Sequence, residues 1–344
     1  MKPIFLACVF GVALAMPLGA AQAAGVYKIT KTVPLGAPDR WDYLTFDAPS
    51  NRVYVAHGDR VTVVDAASGA IIGNIMGMPG GTHGIAISHA THQGFTDDGK
   101  AGEVAVFDPD TLQVTKRIKA EPDADGIVLD GTTGHVFVMD GDSAKITVID
   151  PKTDAVIATI DGGGGLEAGV SGENGKLYVD GAEKGEIVRI DTATNAVDAH
   201  WPMPGCTTPR GIAFDAAHHR LFASCASKVM AVMDTDSGKE LATLPINQGS
   251  DGAGFDPGLG LAFSSNFTGT LSAVSEKSPS NFVALPSIPT QFGARTMTLD
   301  PKTHRIYAVA ADITVDETAA PTDYRHRFHT TPGTARLLFL DPVK

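Results

Sequence analysis

A five-residue pattern returns along this chain at nearly constant intervals, and few architectures can accommodate that. Segments 43–47, 84–88, 126–130, 211–215, 252–256 and 296–300 share alternating apolar positions and, in all but the second, a closing Asp. A weaker copy at 168–172 fills the remaining gap. The closing positions are then 47, 88, 130, 172, 215, 256 and 300, with steps of 41, 42, 42, 43, 41 and 44. Each copy leads through a turn to a second apolar run, such as 52–56, 135–139 or 176–180. A third run ends in Asp at 65, 108, 150, 191 and 234, and a Gly- or Asn-bearing turn precedes a fourth, such as 70–75. Short β-branched runs punctuated by Gly, Asp and Asn are strands. Long apolar periodicity near 3.6 is absent, so almost no helix is expected.

Four short strands per unit of about 40 residues make the blade of a β-propeller. Seven copies predict an all-β, single seven-bladed propeller of four-stranded blades, and 344 residues then form one domain where length alone suggests two. The seventh copy lacks its outer strand. The apolar run at 26–35 supplies it, closing the circle and removing an open sheet edge that could seed aggregation. The expected organisation is a signal peptide over 1–24 and the propeller over 26–344, with an insertion at about 311–334.

The repeat also carries a resemblance. Val53-Tyr54-Val55-Ala56, Leu177-Tyr178-Val179-Asp180 and Ala262-Phe263-Ser264-Ser265-Asn266 vary a Tyr-Val-Thr-Asn core, and Asp-Pro-x-Thr turns occupy 150–153 and 300–303. From about residue 26 to 344 the chain resembles the YVTN-repeat, YncE-like family of exported β-propellers, whose units are WD40-like. The resemblance implies kinship with the β-rich subunits of quinoprotein amine dehydrogenases and with cytochrome-type nitrite reductases, and it implies no one activity. The Cys-x-x-Cys-His motif of a c-type haem is missing. Trp41 and Trp201 lack an obvious partner for a tryptophan-derived quinone. DNA binding, associated with the family, conflicts with a formal charge of −12, since phosphate binding needs a basic face.

The amino terminus reads as an export signal: Lys2, an apolar run over 4–18, and a small-x-small site at Ala21-Gln22-Ala23. The run is shorter than the roughly 20 residues that span a bilayer, and Cys8 lies inside it, unlike a lipidated Cys. The mature chain is therefore expected to be periplasmic or secreted, monomeric, and without a membrane span. It keeps two cysteines, Cys206 and Cys225. Strands at 210–215 and 220–225 would bring the end of the second beside Cys206, which favours a disulfide at the hairpin mouth; a metal-binding or reactive thiol pair is the alternative.

Candidate chemistry lies where each inner strand begins. Five residues before each closing position stand Asp42, His83, Asp125, Glu167, Arg210, Asp251 and Arg295, and all are ionisable. The next residue is small in five copies (Gly84, Gly126, Ala168, Gly211 and Gly252), which lets inner strands crowd the axis. A second ring, at the ends of the second strands, comprises His57, Asp98, Asp140, Asp180, Cys225, Asn266 and Ala310. His57 and His83, in successive blades, are expected to face each other and with nearby carboxylates could hold a divalent metal, with His326 and His329 of the insertion completing the set. The plainer reading is a self-balancing charged ring in which the two Arg pair Asp42 or Asp251. The insertion falls on the same face, as a lid, a binding loop or a mobile polar segment.

Two functional readings follow. In the first, a small ligand, metal or protein partner binds at the channel mouth; Arg210 and Arg295 on one side and the histidines on the other imply a polarised mouth and a ligand with an anionic group. In the second, a metal-dependent hydrolase or lyase, lactonase-like or lyase-like, uses the same face with a metal-bound water. Gly-x-Ser-x-Gly, P-loop and Rossmann patterns are absent, and no catalytic residue is assigned.

Overall fold

The computed structural model describes residues 27–343 apart from 142, 173 and 321–323. The expected signal peptide therefore lies outside the described residues. Seven antiparallel sheets follow one another around an axis, each entered at its inner strand. Blade 1 consists of Leu44–Asp47, Arg52–His57, Arg60–Asp65 and Ile71–Met76, and blades 2 to 6 repeat this up-and-down order. Blade 4 begins at Leu166–Ser171, so the weak copy at 168–172 does mark a strand. Blade 7 takes Met297–Asp300, Arg305–Ala310 and Arg336–Pro342 from the carboxyl end and Tyr27–Pro34 from the amino end. That last pairing runs antiparallel from Tyr27 opposite Pro342 to Pro34 opposite Arg336, which is the predicted closure.

The amino-acid pattern explains the layering. Second and third strands are apolar on both faces, as in Val53-Tyr54-Val55, because each blade is sandwiched between two others. Outer strands alternate, as in Glu240–Pro245, because one face meets solvent. The buried residues form seven apolar clusters, each between successive blades, and the cluster joining blades 6 and 7 includes Tyr27, packed edge-on against Phe263. The Asp that ends the third strand caps the following turn: Asp150 accepts from the Lys152 amide and the Thr153 hydroxyl, and Asp234 from the Asp236 and Ser237 amides. At the axis the small residues are required. A methyl group on Gly84 would lie 2.4 Å from the Ile127 amide nitrogen, and one on Gly211 2.8 Å from that of Ala253.

Helix is confined to the turn Gly99–Ala101 and the single turn Tyr324–Arg327 among the described residues. The insertion departs from the expected loop. It forms a small hairpin of Ile313–Val315 with Phe328–Thr330. Its base is tied down by Asp39, whose carboxylate accepts from the amides of Gly333, Thr334 and Ala335 at 2.7 to 3.1 Å, and by an Arg336–Asp312 ion pair of 2.7 Å.

Candidate functional site

The first ring converges at one end of the axis, as its repeat position requires. Arg295 is central: Nη1 lies 3.0 Å from Asp251, Nη2 3.6 Å from Asp42, and Nη2 donates to the Trp41 carbonyl at 3.0 Å. Arg210 bridges Glu167 at 3.3 Å and Asp251 at 3.6 Å. The ring thus balances charge across blades, and both guanidinium side chains keep solvent access, 35 % and 42 %. His83 turns away from the axis to Asp97, 2.6 Å distant, a buried carboxylate that also accepts the His83 and Gly84 amides.

Three of the ring carboxylates around the two guanidiniums hold protons unusually well. Burial, opposed by Arg295, pushes Asp42 up to about 6. Burial likewise lifts Glu167 to about 7 against the pull of Arg210. Asp125 goes well above the carboxylate range through burial and the Asp42 charge, and its Oδ1 is buried with no hydrogen-bond partner. His83 rises to about 10 because Asp97, Asp125 and Asp42 outweigh its burial.

Tyr43 was not read from the sequence as a site residue. It occupies the position that is small in five other blades, and it lines the axial channel, a cavity of about 420 Å³ walled below by apolar side chains such as Ile127 and Phe255. Burial, with the charges of Glu167, Asp125, Asp251 and Asp42, holds its phenol well above its ordinary value. The signal was there: one large residue among glycines at a position facing the axis.

Three aromatic rings that the repeat pattern also passed over stand above the ring. Phe267, Phe292 and Phe328 meet at centroid separations of 5.0 to 5.6 Å. They come from a loop of blade 6, the entry to blade 7 and the insertion hairpin, so the insertion reaches the mouth. With Arg210, Arg295 and Asp251 they border a cavity of about 710 Å³. A second cavity of about 230 Å³ lies on the other side of Arg295, among Asp42, His83, Trp41 and Ile313.

The second ring does not join the mouth. His57, Asp98, Asp140, Asp180, Cys225, Asn266 and Ala310 are all buried inside the blades. In three of them the side chain reaches a hydroxyl of the third strand: His57 meets Thr62 at 2.9 Å, Asp140 meets Thr147 at 2.8 Å and Asn266 meets Ser272 at 3.0 Å. His57 therefore does not face His83; its charged neighbours are Arg60 and Asp39, and burial lowers its pKa. The groupings of His and carboxylate atoms close enough for a shared ion, among the described residues, are His92–Asp108–Asp110 and Asp215–His218–Glu276. Neither includes His57, His83, His326 or His329. The expected bond between Cys206 and Cys225 is present, at the mouth side of blade 5.

A family model described as "Domain of unknown function (DUF5074)" matches residues 51–253, more than half of the 344-residue chain. None of the curated proteins matches the chain. Among solved structures, a chain of "Crystal Structure of Mitotic Checkpoint Complex" is 15 % identical with both chains covered 100 % and a TM-score of 0.71. "Structure of U3-55K" is 10 % identical, covering 93 % of this chain and 99 % of that one, with a TM-score of 0.74. At such identity the likeness carries the fold alone.

Proposed function

The chain belongs to the DUF5074 family, and from that footing and the build of its mouth we propose that it is an exported propeller that binds a small organic acid with an apolar body. The observation that carries this reading is the 710 Å³ cavity, where Arg210 and Arg295 lie opposite Phe267, Phe292 and Phe328. A guanidinium pair engages a carboxylate, and stacked rings bury an aromatic or aliphatic body. The acids that neutralise the guanidiniums do not block this. Asp42 and Glu167 take up protons near neutral pH and so release positive charge toward an incoming anion. The Cys206–Cys225 bridge suits an oxidising compartment, and no helix among the described residues is long and apolar enough to cross a membrane. Both fit export, as does the resemblance to exported YncE-like propellers. Binding is favoured over metal-dependent hydrolysis because the mouth histidines do not converge.

Calorimetric titration with small carboxylates such as benzoate and phenylacetate tests the reading. Arg295→Ala should weaken binding at least about tenfold, the scale of one lost charge-assisted pair. Lys302→Ala, in an exposed turn after the inner strand of blade 7, should leave it unchanged. Equal effects from both substitutions would sink the idea.

A further inference from the structure

On the opposite face from the mouth, an Asp closing an inner strand repeatedly meets an imidazole. His89 lies 2.6 Å from Asp47, and His304 lies 2.8 Å from Asp256. Each is a self-sufficient pair of one acceptor and one donor. The pair in blade 5 is different. His218 Nδ1 lies 2.7 Å from Asp215 Oδ2, and a second carboxylate, Glu276 from the third strand of blade 6, brings Oε1 to 3.2 Å from the same nitrogen.

One ring nitrogen cannot satisfy two carboxylates. Asp215 spends Oδ1 on the Ala217 amide, which leaves Oδ2 for the shared centre. Glu276 has no such outlet: its side chain is 1 % exposed, and beyond the shared centre of His218 and Asp215 neither oxygen has a hydrogen-bond partner. Arg220, whose positive charge is nearby, directs Nε to the Pro279 carbonyl and Nη1 to Asp234 and the His219 carbonyl. A buried carboxylate left without a donor costs several kcal/mol unless a proton or a cation compensates it.

We propose that Asp215, His218 and Glu276 form a divalent-metal site that clips blade 5 to blade 6. The three ligand atoms lie within 4.8 Å of one another. Ligands about 2.1 Å from a tetrahedral ion sit about 3.4 Å apart, so these need only small outward shifts. One imidazole and two carboxylates suit Zn²⁺ or Mn²⁺ better than Ca²⁺, which prefers oxygen alone. His218 is 44 % exposed, so the site opens to solvent and a water can complete the coordination. The ion ties blades together rather than serving the mouth, so the assignment is independent of the acid-binding reading.

Protein stripped with chelator and titrated with ZnCl₂, and separately with MnCl₂, tests this by calorimetry and melting temperature. The expected result is one saturable equivalent and a raised Tm. Glu276→Gln and His218→Ala should each weaken binding at least about tenfold, whereas His92→Ala, in the cluster of blade 2 that lacks a buried carboxylate, should not. Circular dichroism checks that Glu276→Gln folds; His218→Ala, on an exposed turn, carries the test if it does not. Absence of saturable binding by both ions, or wild-type affinity in both variants, overturns the proposal. The two carboxylates would then share a proton instead.

Discussion

Asp180 shows what the repeat could and could not reveal about single residues. Its place at the end of a second strand was legible from the 42-residue period, yet the period says nothing about which way that strand end turns its side chain. The ends turn inward, between sheets, where a polar group needs a partner from the next strand. His57, Asp140 and Asn266 find a hydroxyl there, but Asp180 finds none for either oxygen. Complete burial, reinforced by the Glu167 charge, holds its carboxyl well above the ordinary range. The folded state therefore binds a proton that the unfolded chain releases above about pH 4, and this residue's contribution to stability falls as pH rises. Asp180→Asn keeps the shape and removes the charge. Denaturant unfolding should show it more stable than wild type by about 1–3 kcal/mol near pH 8, with the gain shrinking toward pH 4. A gain that is the same at both pH values would refute this origin.

Among the elements, the regular blades were readable because every strand repeats the same alternation of apolar and turn residues. The insertion was not. Its paired strands, Ile313–Val315 and Phe328–Thr330, are three residues each, too short for periodicity to register, and what holds them is Asp39 from the far end of the sequence. The aromatic trio was hidden for the same reason, since Phe267, Phe292 and Phe328 come from three separate connections. The disulfide lay between these cases: the hairpin strands that bring Pro209 opposite Cys225 were expected from the turn between them. It closes a loop of 19 residues that carries Arg210 toward the mouth. Constraining an unfolded loop of that size is worth about 3 kcal/mol. Cys206→Ser combined with Cys225→Ser should lower the unfolding free energy by about that amount, read from the urea midpoint. It should also weaken carboxylate binding through the loosened Arg210 loop. An unchanged midpoint would mean that the packed strands alone fix the loop.

The molecule as a whole is a closed ring of seven clusters, so an imbalance built up at its axis is borne by all blades. Closure by Tyr27–Pro34 was foreseeable, because six complete units and one lacking an outer strand leave a single arrangement without an open edge. The distribution of protons around the axis was not foreseeable, because it depends on which of seven ionisable groups, spread over about 250 residues of sequence, lie within reach of one another. Asp42 at about 6, Glu167 at about 7 and Asp140 at about 7 all lie above the unfolded carboxylate range, as do Asp125 and Asp180. Each makes the native state bind more protons than the unfolded chain from about pH 4 upward. His83, raised to about 10, acts in the same direction: its pairing with Asp97 stabilises fully below about 6.5 and fades as pH climbs toward 10. Surface turn carboxylates such as Asp65 and Asp234 are lowered by the hydrogen bonds of their turns, and they withdraw stability only below about pH 4. Stability should therefore peak on the acid side of neutrality, near pH 5, with Tm falling by roughly 5 °C or more by about pH 8.5. Scanning calorimetry across that range checks it. A monovalent organic acid near its saturating concentration should raise Tm most at lower pH, where protonated Asp42 and Glu167 leave the guanidiniums free, and least at the alkaline end, so that the fall becomes steeper. A Tm that rises steadily from about pH 5 to about pH 8.5 would show that the ring carboxylates stay ionised in the folded protein, and with that the proton-assisted route to anion binding would fail.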